Sequence, residues 1–174
     1  MIEIKEWTKY KKLEFKDQKL GNIDLSLLDS IDNNFFDFDT ELVFENCEIK
    51  LFNAVCICLE KSITFINCRI DELYCHATYF CGGFNMKNTI ISKHSTFDCG
   101  GHNIAPNEFK IDNCVFNGYC DFFDVYFDGK VKITDNFFNR GTNLEMYLAS
   151  PYGIKEGMPL ILENNKGNLN QVAE

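Results

Sequence analysis

The chain has 174 residues, of which 45% are hydrophobic and 14% aromatic, so it can build one large core and is not a disordered segment. Its formal net charge of −9 argues against binding to nucleic acid or anionic membranes by phosphate neutralisation. The first residues form no signal peptide, and no stretch is long and apolar enough to span a membrane, which predicts a cytoplasmic protein.

The first 41 residues differ in composition from the rest of the chain. Trp7 and Phe15 stand among lysines, and an acidic stretch with further phenylalanines follows from Asp29 to Glu41. A repeat begins after this segment, and the first copy of a stacked repeat leaves apolar surface uncovered. We therefore interpret residues 1–41 as an N-terminal cap.

A repeat of about 21–22 residues occupies residues 42–141. The segment Phe44-Glu-Asn-Cys-Glu-Ile49 recurs as Phe65-Ile-Asn-Cys-Arg-Ile70, and looser copies begin at Met86, Ile111 and Ile133. Within each copy, apolar anchors follow one another every five or six positions, and the residue two before each anchor is small or apolar. Positions i and i−2 share a side only in an extended chain, so the pattern predicts short strands separated by turns of about 90°, four strands to a coil.

Stacking these coils predicts columns of equivalent residues. Four interior walls are predicted, of which the first contains Phe44, Phe65, Met86, Ile111 and Ile133, and the second contains Ile49, Ile70, Ile91, Phe116 and Phe138. A corner column of Asn46, Asn67, Asn88, Asn113 and Asp135 is predicted to form hydrogen bonds from coil to coil. These columns are structural predictions rather than candidate sites.

The repeat is interrupted at residues 98–108. The copies starting at Met86 and Ile111 are 25 residues apart instead of 21, which predicts four extra residues that leave the coil at one corner. Gly100, Gly101 and Pro106 suit such an excursion. Because insertions in regular repeats often carry function, this loop is a candidate contact segment.

Residues 142–174 form a tail after the repeat. Apolar character returns at Leu160-Ile-Leu162, after a turn at Ser150-Pro-Tyr-Gly153. We interpret the tail as a final partial coil that caps this end, and the whole chain as a single domain.

The nine cysteines are odd in number and contain no Cys-x-x-Cys pair, which predicts reduced thiols that mostly pack in the core. Cys81, Cys99 and His102 are a conceivable zinc set, but their spacing is loose and a fourth ligand is missing. We predict no metal and no cofactor.

The five-residue step resembles that of the pentapeptide-repeat proteins, whose pattern is a small residue at i−2, Asp or Asn at i−1, and Leu or Phe at i. The resemblance covers residues 42–141, and Ile23-Asp-Leu-Ser26 matches one further unit. Position i−1 departs from the family, for example at Glu48, Arg69 and Tyr74. The resemblance implies an all-β, right-handed parallel β-helix with four sides and four to five coils. A less regular right-handed β-helix is the alternative.

Several outward positions are candidates for a contact surface. Aromatic residues at i−1 are predicted to be exposed, and the insertion and one acidic corner add further groups. The candidate surface consists of Tyr74, Tyr79, His102, Tyr119, Asp124, Tyr126 and Asp128.

These features favour a non-catalytic scaffold or interaction module with an unknown protein partner, as a monomer or a homodimer. The resemblance implies an alternative function, in which the protein mimics DNA and binds DNA gyrase. Residues 42–140 carry 12 acidic and 9 basic residues, so their net negative charge is small compared with that of DNA. An immunity or regulatory protein that blocks one partner is a further alternative. A carbohydrate-active β-helix enzyme with paired carboxylates is the least favoured, since the chain has no recognisable catalytic motif.

Overall fold

The computed structural model describes residues 4–28 and 36–172, which contain eighteen strands and one short α-helix, α1 (Leu144–Leu148). Two 3-10 helices, Ile4–Lys9 and Leu25–Leu28, lie near the start. The strands are β1 (Lys12–Lys16), β2 (Lys19–Asp24), β3 (Phe36–Phe38), β4 (Glu41–Glu45), β5 (Glu48–Asn53), β6 (Ile57–Leu59), β7 (Ile63–Ile66), β8 (Arg69–Tyr74), β9 (Phe84–Lys87), β10 (Ile90–Ile91), β11 (Ser95–Thr96), β12 (Phe109–Asp112), β13 (Val115–Phe116), β14 (Cys120–Asp121), β15 (Val131–Thr134), β16 (Phe137–Phe138), β17 (Leu160–Glu163) and β18 (Lys166–Gly167).

All strand pairings among the described residues are parallel, and each strand pairs with its counterpart one repeat later in the chain. The first sheet has the order β1-β4-β7-β9-β12-β15-β17. The second sheet runs from β2 through β5 and β8 to β10, β13, β16 and β18. In the same sheet β11 pairs with β8, and β14 pairs with β11. A third pair joins β3 to β6. The chain is therefore an all-β protein in which parallel strands are stacked repeat on repeat.

The first two predicted walls form part of the core. Phe44 pairs with Phe65 and Ile49 with Ile70, and the later members of both walls follow in register. All ten side chains are at most 2% exposed. Alternation explains this, since in β7 Ile63 and Phe65 are buried while Thr64 and Ile66 between them are half-buried. Both predicted walls are confirmed.

The predicted corner column is observed for its four asparagines. Asn67 donates to Asn46, Asn88 to Asn67 and Asn113 to Asn88, at 2.9–3.2 Å between side-chain nitrogen and oxygen. Each of these asparagines has a φ of 51–54°, which Asn adopts at lower cost than most residues. The amide ladder thus satisfies polar groups at the same place where the backbone turns.

The extra residues of the third repeat do not all leave at one corner, which corrects the prediction for residues 98–108. The register between neighbouring repeats grows from 21 to 22 residues between Ile91 and Ser95, and from 22 to 25 between Gly101 and Phe109. One extra residue therefore lies between β10 and β11, and three extra residues lengthen the loop before β12. Cys99 still follows the regular path, since its N–H donates to the carbonyl of Phe123 in the next repeat at 2.8 Å.

Residues 1–41 do more than cap the repeat. Strands β1, β2 and β3 extend the three sheets by one further layer, with Lys12 opposite Glu41, 29 positions later. Trp7, in the first 3-10 helix, is 1% exposed and covers Phe15 with 5.0 Å between ring centroids. The acidic stretch predicted from Asp29 onward lies largely outside the described residues.

The tail adds a last layer. β17 pairs with β15 and β18 with β16, and the register there reaches 29 residues because α1 and the turns that follow it lengthen this repeat. Leu144 and Leu148 of α1 are fully buried. Over the parts of the chain that the structure describes, no helix has the length and apolar character needed to cross a bilayer.

Candidate interaction surface

One outer side of the stack is built from a column of bridging residues. Cys58, Tyr79, Gly101 and Tyr126 pair with one another in successive repeats. The residues that follow the two tyrosines, Phe80 and Phe127, are fully buried. Alternation along the chain therefore directs the tyrosine rings outward, where both are half-buried.

His102 lies between these tyrosines. Its ring centroid is 4.4 Å from that of Tyr79 and 5.7 Å from that of Tyr126, in tilted contacts. Gly101 makes this possible, because it has a φ of 111° and a Cβ at this position would lie 2.3 Å from the carbonyl oxygen of Tyr126. The chain therefore approaches the next repeat closely, and the next side chain fills the space between the rings.

Asp128 fixes the imidazole of His102. The Nδ1 atom lies 3.0 Å from Asp128 Oδ2, and the two side chains are 36% and 35% exposed. Because an ionised carboxylate only accepts hydrogen bonds, Nδ1–H is the donor. We call Tyr79, His102, Tyr126 and Asp128 together the His102 ladder.

The loop beside the ladder is held by a buried amide. Asn103 is fully buried and donates to the carbonyls of Asn107 and Lys130 at 2.9 and 3.0 Å, while its oxygen accepts from Gly129 N–H at 3.1 Å. Asn107 in turn donates to the Cys81 carbonyl at 2.9 Å. The loop therefore has a defined conformation, with Ile104 55% exposed at its tip.

The other predicted surface residues lie elsewhere. Tyr74 donates to Glu72 at 3.0 Å, and burial raises the pKa of its phenol. Tyr119 donates to the carbonyl of Gln171 at 2.8 Å, and burial raises its pKa to about 12. Asp124 is an exposed corner residue with a φ of 52°. All four tyrosines are half-buried, which corrects the expectation that they are exposed.

The zinc ligands considered in the sequence analysis are not the ones that the structure brings together. Cys81, Cys99 and His102 do not come together within 4.8 Å among the described residues. Two other groups do, namely Cys58, Glu60 and Cys81, and His76, Asp98 and Cys99. His76 and Asp98 are one repeat apart, a signal present in the sequence, whereas the meeting of Cys58 with Cys81 depends on how a turn closes.

The outer faces carry mixed charge. Lysines and carboxylates of neighbouring repeats form ion pairs at 2.7–3.2 Å, as in Lys16–Glu45, Lys93–Glu72 and Lys130–Glu108. The hydrogen bond from Lys93 holds the pKa of Glu72 below its usual value. These faces therefore do not present charges of a single sign.

Comparison of the chain with protein-family models, curated proteins and solved structures finds no match. The functional argument therefore depends on the geometry of the described residues. Among the predicted surface residues, the structure joins four in the His102 ladder and leaves three apart.

Proposed function

We propose that this chain is a non-catalytic, cytoplasmic interaction module that binds a protein partner through the His102 ladder and the adjoining loop of residues 102–108. The scaffold that we propose for it is a right-handed, four-sided parallel β-helix of the pentapeptide-repeat type. The ladder supplies the contacts, and the stacked repeats hold it in place.

Two observations support this scaffold. The apolar anchors recur every five or six residues, and the strands that carry them pair in parallel with their counterparts in the next repeat. Connections between parallel strands of one sheet are right-handed in about 98% of cases, because of strand twist. An experimental structure with a left-handed course, or with three sides to each coil, would contradict this part of the proposal.

The observation that carries the function is the preorganised aromatic column. Tyrosine is enriched at binding hot spots because its large ring has few rotatable bonds and carries a polar end. The rings of Tyr79 and Tyr126 are already ordered against His102, so little side-chain entropy remains to be lost on binding.

Surface charge favours a protein partner over imitation of DNA. A DNA mimic needs one sign of charge along its length, whereas here lysines neutralise the carboxylates of the neighbouring repeat. His102 likewise pairs with Asp128 within the ladder.

The test is a comparison of ladder and non-ladder variants. The full chain is immobilised and exposed to a lysate of its source organism, and retained proteins are identified by mass spectrometry across a salt series. Tyr126→Ala is the ladder variant, and Tyr74→Ala, also a half-buried tyrosine, is the matched control. Thermal unfolding of both variants checks that the fold is intact. We expect one protein to be retained by the wild type and Tyr74→Ala, and reduced at least tenfold with Tyr126→Ala.

The other outcomes identify alternatives. Equal retention by both variants means that the contact surface lies elsewhere. A type II topoisomerase that is retained at low salt only, irrespective of Tyr126, would replace the proposal with the DNA-mimic function.

A further inference from the structure

A compact group of metal-ligating atoms lies beside the Tyr79 end of the ladder. Cys58 Sγ is 3.3 Å from Cys81 Sγ and 3.2 Å from Glu60 Oε1, and the three ligand atoms all lie within 4.8 Å of one another. Cys58 is 7% exposed, Cys81 is half-buried and Glu60 is exposed, so the group lies at the surface with one open side. None of these side chains belongs to the His102 ladder.

The fold brings these residues together through a tight turn. Cys58 lies in β6 and bridges to Tyr79, and Cys81 follows two residues later. Gly82 then donates its N–H to the Leu59 carbonyl at 2.9 Å, which folds the chain over β6. A Cβ at Gly82 would lie 2.2 Å from the backbone of Lys61, so only glycine permits this approach. The cysteine pair is thus positioned by backbone rather than by flexible side chains.

The dimensions of the group are close to those of a tetrahedral metal site. With Zn–S bonds of about 2.3 Å and Zn–O bonds of about 2.0–2.2 Å, tetrahedral geometry separates two sulfurs by about 3.8 Å and sulfur from oxygen by about 3.5 Å. The observed 3.3 and 3.2 Å are hydrogen-bond contacts that need to open by only about 0.5 Å or less. The third separation, between Cys81 Sγ and a Glu60 carboxylate oxygen, is within 4.8 Å.

We propose that Cys58, Glu60 and Cys81 form a binding site for a thiophilic divalent cation of the zinc type, with water as the fourth ligand. Thiolate sulfur favours zinc-like ions over Mg²⁺ and Ca²⁺, which prefer oxygen. The exposed side of Glu60 leaves the fourth position open to solvent.

Thiolate is the metal-binding form of cysteine, so both thiols lose their protons when the site is filled. When the cation binds, two S–H bonds break, two metal–sulfur bonds form and two protons pass to solvent. The net charge of the group remains −1, because three negative ligands then surround a charge of +2. Because two protons are released for each cation bound, the affinity should increase as the pH rises.

The site can be tested with Co²⁺ as a spectroscopic probe and Zn²⁺ as a competitor. The full chain is stripped of metal and kept reduced with a non-thiol reductant, and mass spectrometry checks that all nine cysteines are free. We expect one equivalent of Co²⁺ to produce thiolate-to-metal charge-transfer absorption, which Zn²⁺ displaces. Cys58→Ser should abolish this absorption. Glu60→Gln, an exposed change that leaves the fold intact, should weaken binding by at least tenfold.

Cys56→Ser is the matched control, since it removes an exposed thiol outside the group and should leave the titration unchanged. Either of two results would overturn the proposal. One is the absence of charge-transfer absorption at one equivalent. The other is an absorption that survives Cys58→Ser but is lost with Cys99→Ser, which would place the ion at His76, Asp98 and Cys99 instead.

Discussion

Phe65 illustrates how a single side chain joins neighbouring repeats. Its ring stacks on Phe44 with 5.0 Å between centroids and lies edge-on to Phe52 at 5.2 Å. On its other side it contacts Phe84 at 6.1 Å. Removing one such ring therefore disturbs three repeats together, whereas an outward side chain affects one or two contacts.

We predict that Phe65→Asp unfolds the protein, whereas Asp128→Asn leaves stability almost unchanged. An unpaired buried charge costs several kcal/mol, which is comparable with the whole stability of about 5–15 kcal/mol of a typical domain. Asp128 is half-exposed, and its pair with His102 contributes about 1 kcal/mol or less. Urea unfolding followed by circular dichroism measures both changes. Similar shifts for the two variants would contradict the assignment of inward and outward positions.

The cysteines should differ sharply in reactivity. Cys56 is exposed, whereas Cys75 and Cys120 are buried, and burial raises the pKa of both buried thiols. Because the thiolate is the reactive form, an alkylating agent at pH 8 should label Cys56 rapidly and the other two only on unfolding. Mass-spectrometric mapping of the labelled sites against time checks the order. Labelling of Cys75 or Cys120 at the rate of Cys56 would refute the described packing.

The turns between the strands contribute to the stability of the stacked repeats as the strands do. Six of the described strands are only two residues long. The stack therefore also depends on the corners between strands, where the backbone packs closely against the previous repeat. Gly118, between β13 and β14, is one such corner. A Cβ at this position would lie 2.0 Å from the carbonyl oxygen of Lys93, which is far inside van der Waals contact.

We therefore predict that Gly118→Ala destabilises the protein by about 2 kcal/mol or more, since backbone rather than a flexible side chain must move. Gly21→Ala is the matched control, because a Cβ there meets nothing within 4 Å and its φ is not positive. That change should be neutral or stabilise by up to about 1 kcal/mol. Differential scanning calorimetry of the two variants measures the contrast, and equal melting temperatures would mean that the corner is more adaptable than the geometry indicates.

For the molecule as a whole, the buried thiols link stability to pH. Burial raises the pKa of Cys68 to about 11 and that of Cys114 to about 12 from an ordinary value of 9.0, and it raises those of Cys58, Cys75 and Cys120 as well. The unfolded chain therefore loses thiol protons above pH 9 while the folded chain retains them. The contribution of these thiols to the free energy of unfolding is therefore fully present below pH 9 and is lost as the pH rises through their folded-state pKa values.

We predict that the free energy of unfolding decreases from pH 9 to pH 11, with each such thiol contributing up to about 1.4 kcal/mol per pH unit. Cys114→Ala should reduce the slope of the free energy of unfolding against pH by the contribution of one thiol. Cys56→Ala, at an exposed position, is the control and should leave the slope unchanged. Chemical denaturation at a series of pH values measures the slope. A flat profile across this range would show that the thiols ionise without unfolding.

The pattern of residues along the chain was sufficient to predict the interior. Most inward positions carry an apolar side chain, so the five-residue step alone identified the columns that begin at Phe44 and Ile49. Outward positions carry no such requirement, and their neighbours depend on the register between repeats. His102 lies between Tyr79 and Tyr126 because one residue is added after Ile91 and three after Gly101. Cys58 meets Cys81 because of the turn at Gly82. These features join residues from different repeats through backbone geometry, so they arise only when the repeats are stacked.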